Sequence, residues 1–270
     1  QFLNKIGLRH RWMDARKLIR TDNAYTDASI DWQVTKKTIE KSWTDRTDDL
    51  WITQGFIAGT KEGFTTTLGR EGSDFTAAIF AYCLKAEKVC IWKDVPGVLT
   101  ADPKEIPQAT LLKKLSYREA IEMTYYGAKV IHPRTLRPLQ MIGIPLEVKS
   151  FLKPQDGGTV IHFEGQGKDQ HPIIVCKNNQ RLLVCHTRDV SFMSENNLAH
   201  ITGVFAAHNV RVHMMQTRAL KLSLVVDNVR VEKIDEVLNS LKDDYKIQSY
   251  ENLKMLPIRH YTAKAIATYI

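Results

Sequence analysis

The sequence predicts an α/β protein in two parts, a sheet domain of alternating strands and helices followed by a smaller ferredoxin-like βαββαβ unit. Three observations predict it. Short apolar runs alternate with helical stretches through residues 1–162. A Gly-containing polar segment at 163–170, with Pro172 just after it, interrupts that pattern. Beyond the break the order becomes strand, helix, strand, strand, helix, strand.

In the first part, the runs at 50–52, 88–92 and 146–148 read as buried strands, and 73–85 and 117–126 carry the apolar spacing of helices. The chain opens at Gln1 without a Met, and its first residues already read as a helix running into a domain, so an upstream segment is expected. The break divides the chain into residues 1–166 and 167–270. In the second part the strands are placed at 181–186, 210–217, 221–227 and 246–250, and the helices at 197–208 and 231–241, a unit of about 180–250. Asp227 and Asn228 suit a helix start, and Asn209 suits a left-handed helix stop. Residues 258–270 begin another element, and no longer internal repeat is visible.

A hydrophobic share of 43% with 25% charged residues can bury a core and excludes a disordered chain. The formal charge of +8 is spread among Asp and Glu and forms no aromatic-lined patch, so it points away from nucleic acid and toward small anionic ligands such as nucleotides and dicarboxylates. Cys83, Cys90, Cys176 and Cys185 form no CxxC pair and lie in apolar runs, which predicts buried free thiols in a reducing compartment. No apolar stretch has the length of a membrane span and none reads as a signal peptide; a cytoplasmic protein is expected.

Three blocks carry candidate chemistry. In LWITQGFIAGT (50–60) and TTTLGREGSDFTAA (65–78), a strand emerges into a turn containing Gly55 and Gly59, and a second loop leads into a helix near Ser73. Free amides and the positive dipole end of that helix favour an anion, and Arg70 can grip a carboxylate or phosphate with two parallel hydrogen bonds. On the residues alone another reading stands beside it: Ser73 as an N-cap, Asp74 as a dipole complement, Arg70 as a surface charge. VCIWKDVPGVLTADPK (89–104) ends a strand in Lys93 and Asp94 before a Pro-Gly turn, either a ligand loop at a strand's carboxyl end or a turn capped by Asp94 and Asp102. In GAKVIHPRTL (127–136), Lys129 either meets a phosphate or complements a helix end, and His132 before Pro133 reads as a turn residue and not a metal ligand. No metal site is predicted.

The ordered series ITQGFIAG, TTTLGREGSDFTAA, WKDVPGVLTADP, GAKVIHP and KSFLKPQDGGTVI resembles the aspartokinases, enzymes of the amino-acid kinase fold, over residues 1–162. The remainder resembles their ACT regulatory region. This resemblance implies transfer of the γ-phosphoryl of Mg-ATP to the side-chain carboxylate of L-aspartate, giving an acyl phosphate on the way to lysine, threonine and methionine. It implies that Arg70 holds a substrate carboxylate, that Ser73 and Asp74 belong to the aspartate-binding and catalytic stretch, and that Phe56 lines the aspartate pocket. Lys93, Asp94, Leu99, Lys104, Lys129 and Val130 fall at nucleotide-contacting positions.

The same resemblance implies ACT units that pair between subunits, with strand 173–175 belonging to a second unit, and an amino-acid effector site at His213, Arg218 and Ala219. The chain departs from the pattern at Glu71, where a Gly is frequent, at Lys93, where a Thr is frequent, and at Leu99, where a Tyr is frequent. Glu71 is expected to weaken anion binding unless it points to water. The phosphate loop and the His-Gly-Glu run of the family's amino-terminal part do not occur in these 270 residues, so the function is expected of the protein that carries them. With basic residues at His213 and Arg218, inhibition by lysine is expected to be weak. The competing expectation from another functional class is a non-catalytic amino-acid sensor.

Overall fold

The computed structural model describes residues 2–43, 50–128, 131–163 and 172–263. Described residues up to Pro172 belong to one compact unit, and Ile173–Tyr261 form a second.

The first unit opens with helix α1 (Phe2–Lys5), strand β1 (His10–Met13) and the short helix α2 (Ala15–Leu18), which Asp14 caps by accepting from the Arg16 amide. Helix α3 (Trp32–Ser42) follows, capped in the same way by Asp31. Strand β2 (Leu50–Thr53) pairs in parallel with β1, and β3 (Ile57–Gly59) forms an antiparallel pair with β4 (Thr65–Thr67). Helix α4 (Gly72–Leu84) is apolar on most of its circumference and buries Phe75, Ile79 and Cys83 against Ile19, Ile39 and Leu68. It stops at Lys85 in the left-handed conformation, φ 51°.

A four-stranded sheet completes this unit. Strand β5 (Val89–Lys93), β6 (Lys114–Ser116), helix α5 (Tyr117–Tyr125), helix α6 (Pro133–Ile142), β7 (Leu146–Ser150) and β8 (Thr159–His162) follow in sequence, with the strands ordered β5-β7-β8-β6. The β5–β7 and β6–β8 pairs are parallel and β7–β8 is antiparallel. Leu146, Val148 and Ser150 alternate inward, the period-two pattern of a strand with one covered face. Helix α6 shows both ends in its sequence: His132 and Pro133 open it, and Gly143 at φ 76° closes it.

In the second unit, β9 (Ile173–Ile174) pairs with the last strand, β14 (Ile258–Arg259). Between them run β10 (Lys177–Thr187), α7 (Glu195–Ala207), β11 (Val212–Arg218), β12 (Lys221–Asp227), α8 (Val231–Leu241) and β13 (Tyr245–Met255). The sheet order is β11-β12-β10-β13, with every neighbouring pair antiparallel. Leu183, Cys185, Leu222, Leu224 and Val226 form a core with Ile201 and Phe205 of α7 and Ile234, Val237 and Leu241 of α8.

Several local readings change. Asp227 does not start a helix: it ends β12, and Arg230 precedes α8 without a side-chain cap. Ser73 is not an N-cap, because α4 begins one residue earlier behind Glu71 at φ 54°. Asn209 does adopt the left-handed conformation, φ 54°. No disulfide joins the four cysteines, but only Cys83 and Cys185 are buried, and their burial pushes each thiol up to about 11. Among the described residues no helix is long and apolar enough to cross a membrane.

Candidate functional site

The site is built where the loop entering α4 meets the carboxyl end of β5. Gly55 and Gly59, read as turn glycines, serve close approach instead. A Cβ on Gly55 would lie 2.9 Å from the Cβ of Ser73, and Gly59 is the last residue of β3. Gly72 is needed for the same reason, since a Cβ there would come 2.8 Å from the ring of Phe56. Phe56 sits at φ 75° with its side chain 44% exposed, and its amide donates to Thr76 Oγ1 at 3.0 Å. Thr76 in turn donates to the Gly72 carbonyl at 2.8 Å, tying the 50–60 turn to the first turn of α4.

Arg70 is exposed in the turn before the helix, and Ser73 is exposed at its start. Asp74 lies in the first helical turn, and its Oδ2 is 3.0 Å from Lys93 Nζ at the end of β5. This ion pair joins a residue expected on the acceptor side to one expected on the nucleotide side. Both side chains are mostly shielded, 23% exposed for Lys93 and 16% for Asp74. The Lys93 main chain is fixed by its pairing with Ser150 and by the Phe151 amide, which donates to the Lys93 carbonyl at 2.9 Å.

The 127–136 block reaches the same loop through residues the sequence did not single out. Arg134, on α6, bridges the carboxylate of Asp27, with Nη2 3.3 Å from Oδ2, and donates to the Leu68 carbonyl at 3.4 Å. Gly69, at φ 73°, leaves the room that the Asp27 carboxylate occupies. His132 caps α6 by accepting from the Arg134 amide. Burial pushes its imidazole below the usual value, while the Glu71 carboxylate opposes that and the Arg134 and Arg70 charges reinforce it. Those charges therefore crowd one spot beside the loop. Glu71 does not point wholly to water: its Oε2 is buried and, among the described residues, has no hydrogen-bond partner.

The remaining nucleotide-side residues are less gathered. Asp94 and Lys104 are exposed, and the Asp102 side chain accepts the Lys104 amide at 2.9 Å. Leu99 is half-buried and forms an isolated antiparallel bridge with Leu111. No hydrogen bond or ion pair among the described residues links Asp94, Leu99 or Lys104 to the Asp74–Lys93 pair. Lys129 and Val130 lie outside the described residues. Among the described residues no group of three or more His, Cys, Asp or Glu could hold a metal ion.

In the second unit His213 is not a solvated strand residue. It is 7% exposed, with Nε2 2.7 Å from Asp227 Oδ2 and 2.7 Å from Lys177 Nζ. Lys177 also meets Asp227 Oδ1 at 2.8 Å, and Gln180 Nε2 donates to the same oxygen at 2.9 Å. Arg218 and Ala219, the other expected effector positions, are exposed, and the Ala219 carbonyl accepts the Met193 amide at 2.8 Å.

This cluster makes the unit sensitive to acid. Burial pushes His213 below 6.5 against the pull of Asp227, while Lys177 and Arg211 push the same way as burial. Partial burial opposes ionisation of Asp227, yet hydrogen bonds from Gln180, Lys177 and His213 hold it at about 2, below its usual 3.8. A depressed histidine is bound by more protons in the unfolded chain, so stability falls as pH drops below 6.5 toward the folded value. The Asp227 contribution is intact above 3.8 and is lost as pH falls toward 2. Hydrogen exchange of α7 and α8 is expected to quicken, after correction for intrinsic rates, between pH 7.5 and 5, and His213→Gln should remove that step; an unchanged profile in the variant would rule the histidine out.

Comparison with known proteins places these features in context. The sequence profile described as "Amino acid kinase family" matches residues 1–150. Lysine-sensitive aspartokinase 3 of Escherichia coli (strain K12) is 36% identical over 228 residues, covering 84% of this chain and 51% of that protein. The chain thus spans about half the length of that curated relative. Among solved structures, E. coli aspartokinase III in complex with aspartate and ADP (R-state) superposes with a TM-score of 0.74 at 32% identity, over 95% of this chain and 59% of that one. The lysine and aspartate complex (T-state) of the same E. coli enzyme gives a TM-score of 0.76 at 30% identity, over 99% and 62%.

Proposed function

The chain belongs to the amino acid kinase family, and from that premise we propose that the protein carrying it is an aspartate kinase, moving the γ-phosphoryl of ATP to the side-chain carboxylate of L-aspartate. The observation that supports the reading is the 3.0 Å contact of Asp74 with Lys93, which joins the start of α4, expected on the acceptor side, to the end of β5, expected on the nucleotide side. The E. coli relative whose structure holds aspartate and ADP supports it.

In this reading the acceptor carboxylate is already ionised near neutral pH and needs no strong base. A carboxylate oxygen attacks the γ-phosphorus in line, and ADP leaves with the electron pair of the broken bond. The chain's task is to hold two anions together and offset the charge on the transferring group. Arg70 takes an aspartate carboxylate, Phe56 walls the pocket, and the α4 start with Ser73 offers backbone amides. Lys93 faces the phosphates; Asp94, Leu99, Lys104, Lys129 and Val130 complete the nucleotide side. Magnesium would arrive with ATP and would offset part of the charge on the transferring group.

The second unit is read as an ACT regulatory domain, a reading supported by its βαββαβ order and by the sheet order β11-β12-β10-β13; a cytoplasmic homodimer paired through these units belongs to the same proposal. Of the three effector positions, Arg218 and Ala219 are open to a ligand, whereas His213 is already held by Asp227 and Lys177. An ATP-dependent hydroxamate assay on the longest polypeptide that contains this sequence tests the whole reading. Product is expected with aspartate and not with glutamate, with little response to added lysine and with threonine as the comparison effector. Nucleotide binding without product would replace the kinase by a non-catalytic amino-acid sensor.

A further inference from the structure

The Asp74–Lys93 pair joins two rigid anchors. Lys93 closes β5 and is held through β7, and Asp74 rides on the first turn of a 13-residue helix. Neither side chain can drift far from the other without moving an element. Among the described residues Asp74 meets one cation and Lys93 one carboxylate. A phosphate approaching the end of β5 therefore finds its cation already neutralised, with a carboxylate beside it that repels it. Because both groups are mostly shielded, bulk water and salt do little to weaken that competition.

We propose that this ion pair is a latch that nucleotide binding opens. The inference rests on the nucleotide-binding part of the function above and adds an order to it. Lys93 is the phosphate-contacting cation, and Asp74 is a positioning residue that holds Lys93 in place and competes with the phosphate for it. When phosphate takes Lys93, the Asp74 carboxylate in the first turn of α4 loses its counterion, while Arg70 stands exposed in the turn before the same helix. A zwitterionic amino acid brings both matching charges, a carboxylate for Arg70 and an ammonium for Asp74. Nucleotide binding thus prepares the acceptor site, and by linkage aspartate and nucleotide strengthen each other's binding.

The latch makes a prediction of opposite signs at its two ends. ADP affinity of the longest polypeptide that contains this sequence is measured by calorimetry for wild type, Lys93→Met, Asp74→Asn and the double variant. Lys93→Met is expected to weaken ADP binding about fivefold, and Asp74→Asn to tighten it by a similar factor. The gain from Asp74→Asn should shrink in the Lys93→Met background, since Asp74 then has no cation to withhold and only its direct repulsion of the phosphate is removed. A purely structural pair would weaken binding from either end. Should Asp74→Asn bind ADP no more tightly than wild type, the latch is wrong and the nucleotide reading stands. Should wild type bind no ADP, the nucleotide reading falls and takes the latch with it. The Lys93 ammonium resonance of the wild-type chain gives a test free of substitutions: it should shift on ADP saturation, and a signal that stays in place with ADP bound overturns the proposal.

Discussion

Replacing Arg70 by alanine is expected to raise the aspartate concentration for half-saturation by about ten- to a hundredfold, with a smaller change in the ATP constant. The side chain is exposed at the turn before α4, with no intramolecular ion pair among the described residues that would have to break before a ligand binds. Its guanidinium can therefore spend its full charge on a substrate carboxylate. A hydrogen bond to a charged group contributes about 1.5–3 kcal/mol, and each 1.4 kcal/mol is about tenfold in affinity. The loss should fall on aspartate because the phosphate side has its own cation in Lys93. Steady-state constants from the hydroxamate assay, in the longest polypeptide containing this sequence, separate the two substrates. Unchanged constants for aspartate would remove Arg70 from the acceptor site. A Lys replacement should restore only part of the affinity, since an ammonium cannot reproduce the two parallel bonds of the planar fork.

The residues that make this argument possible were only partly legible. The strand ending at Lys93 and the helix after the GREGSD loop follow from apolar spacing, which acts locally. The βαββαβ order was readable for the same reason. Helix α6 is absent from that reading, which took His132 and Pro133 for a turn, although Pro133 and Gly143 bound the helix. What the sequence hid is long-range. Arg134 and Asp27 are 107 residues apart, and nothing in either neighbourhood announces that together they brace Gly69. Asp227 looked like a helix start because Asp and Asn favour caps. Its partners His213 and Lys177 lie on β11 and β10, and without the strand register their meeting could not be read. Ser73 had the chemistry of a cap, but the helix begins earlier because Gly72 can pass beneath the Phe56 ring, a contact set by tertiary packing.

The glycines of the 50–60 block show how far that packing controls the site. Gly59→Ala is expected to destabilise the first unit by about 2–3 kcal/mol, within the range for overpacking a close contact. An added Cβ would overlap the carbonyl oxygen of Arg16 and lie 3.2 Å from its carbon, so the clash is with main chain and no side-chain rotation relieves it. The strand cannot simply step away. The Gly59 amide donates to the Ile19 carbonyl at 3.0 Å, and the Gly59 carbonyl accepts the Thr21 amide at 3.1 Å. Relaxation must either stretch those bonds or tilt β3 against β4, and Ile57, which pairs with Thr67, would carry Phe56 with it. Gly157→Ala is the control: nothing lies within 4 Å of its Cβ, and its change should stay within about 0.5 kcal/mol. Urea melts of both variants, followed by probes in the first unit, compare them directly. Equal midpoints would mean that α2 and β3 separate freely, and Gly59 would then be a turn residue after all. A lowered midpoint for Gly59→Ala together with weakened aspartate binding would show that the close approach of these two backbones holds the acceptor pocket in shape.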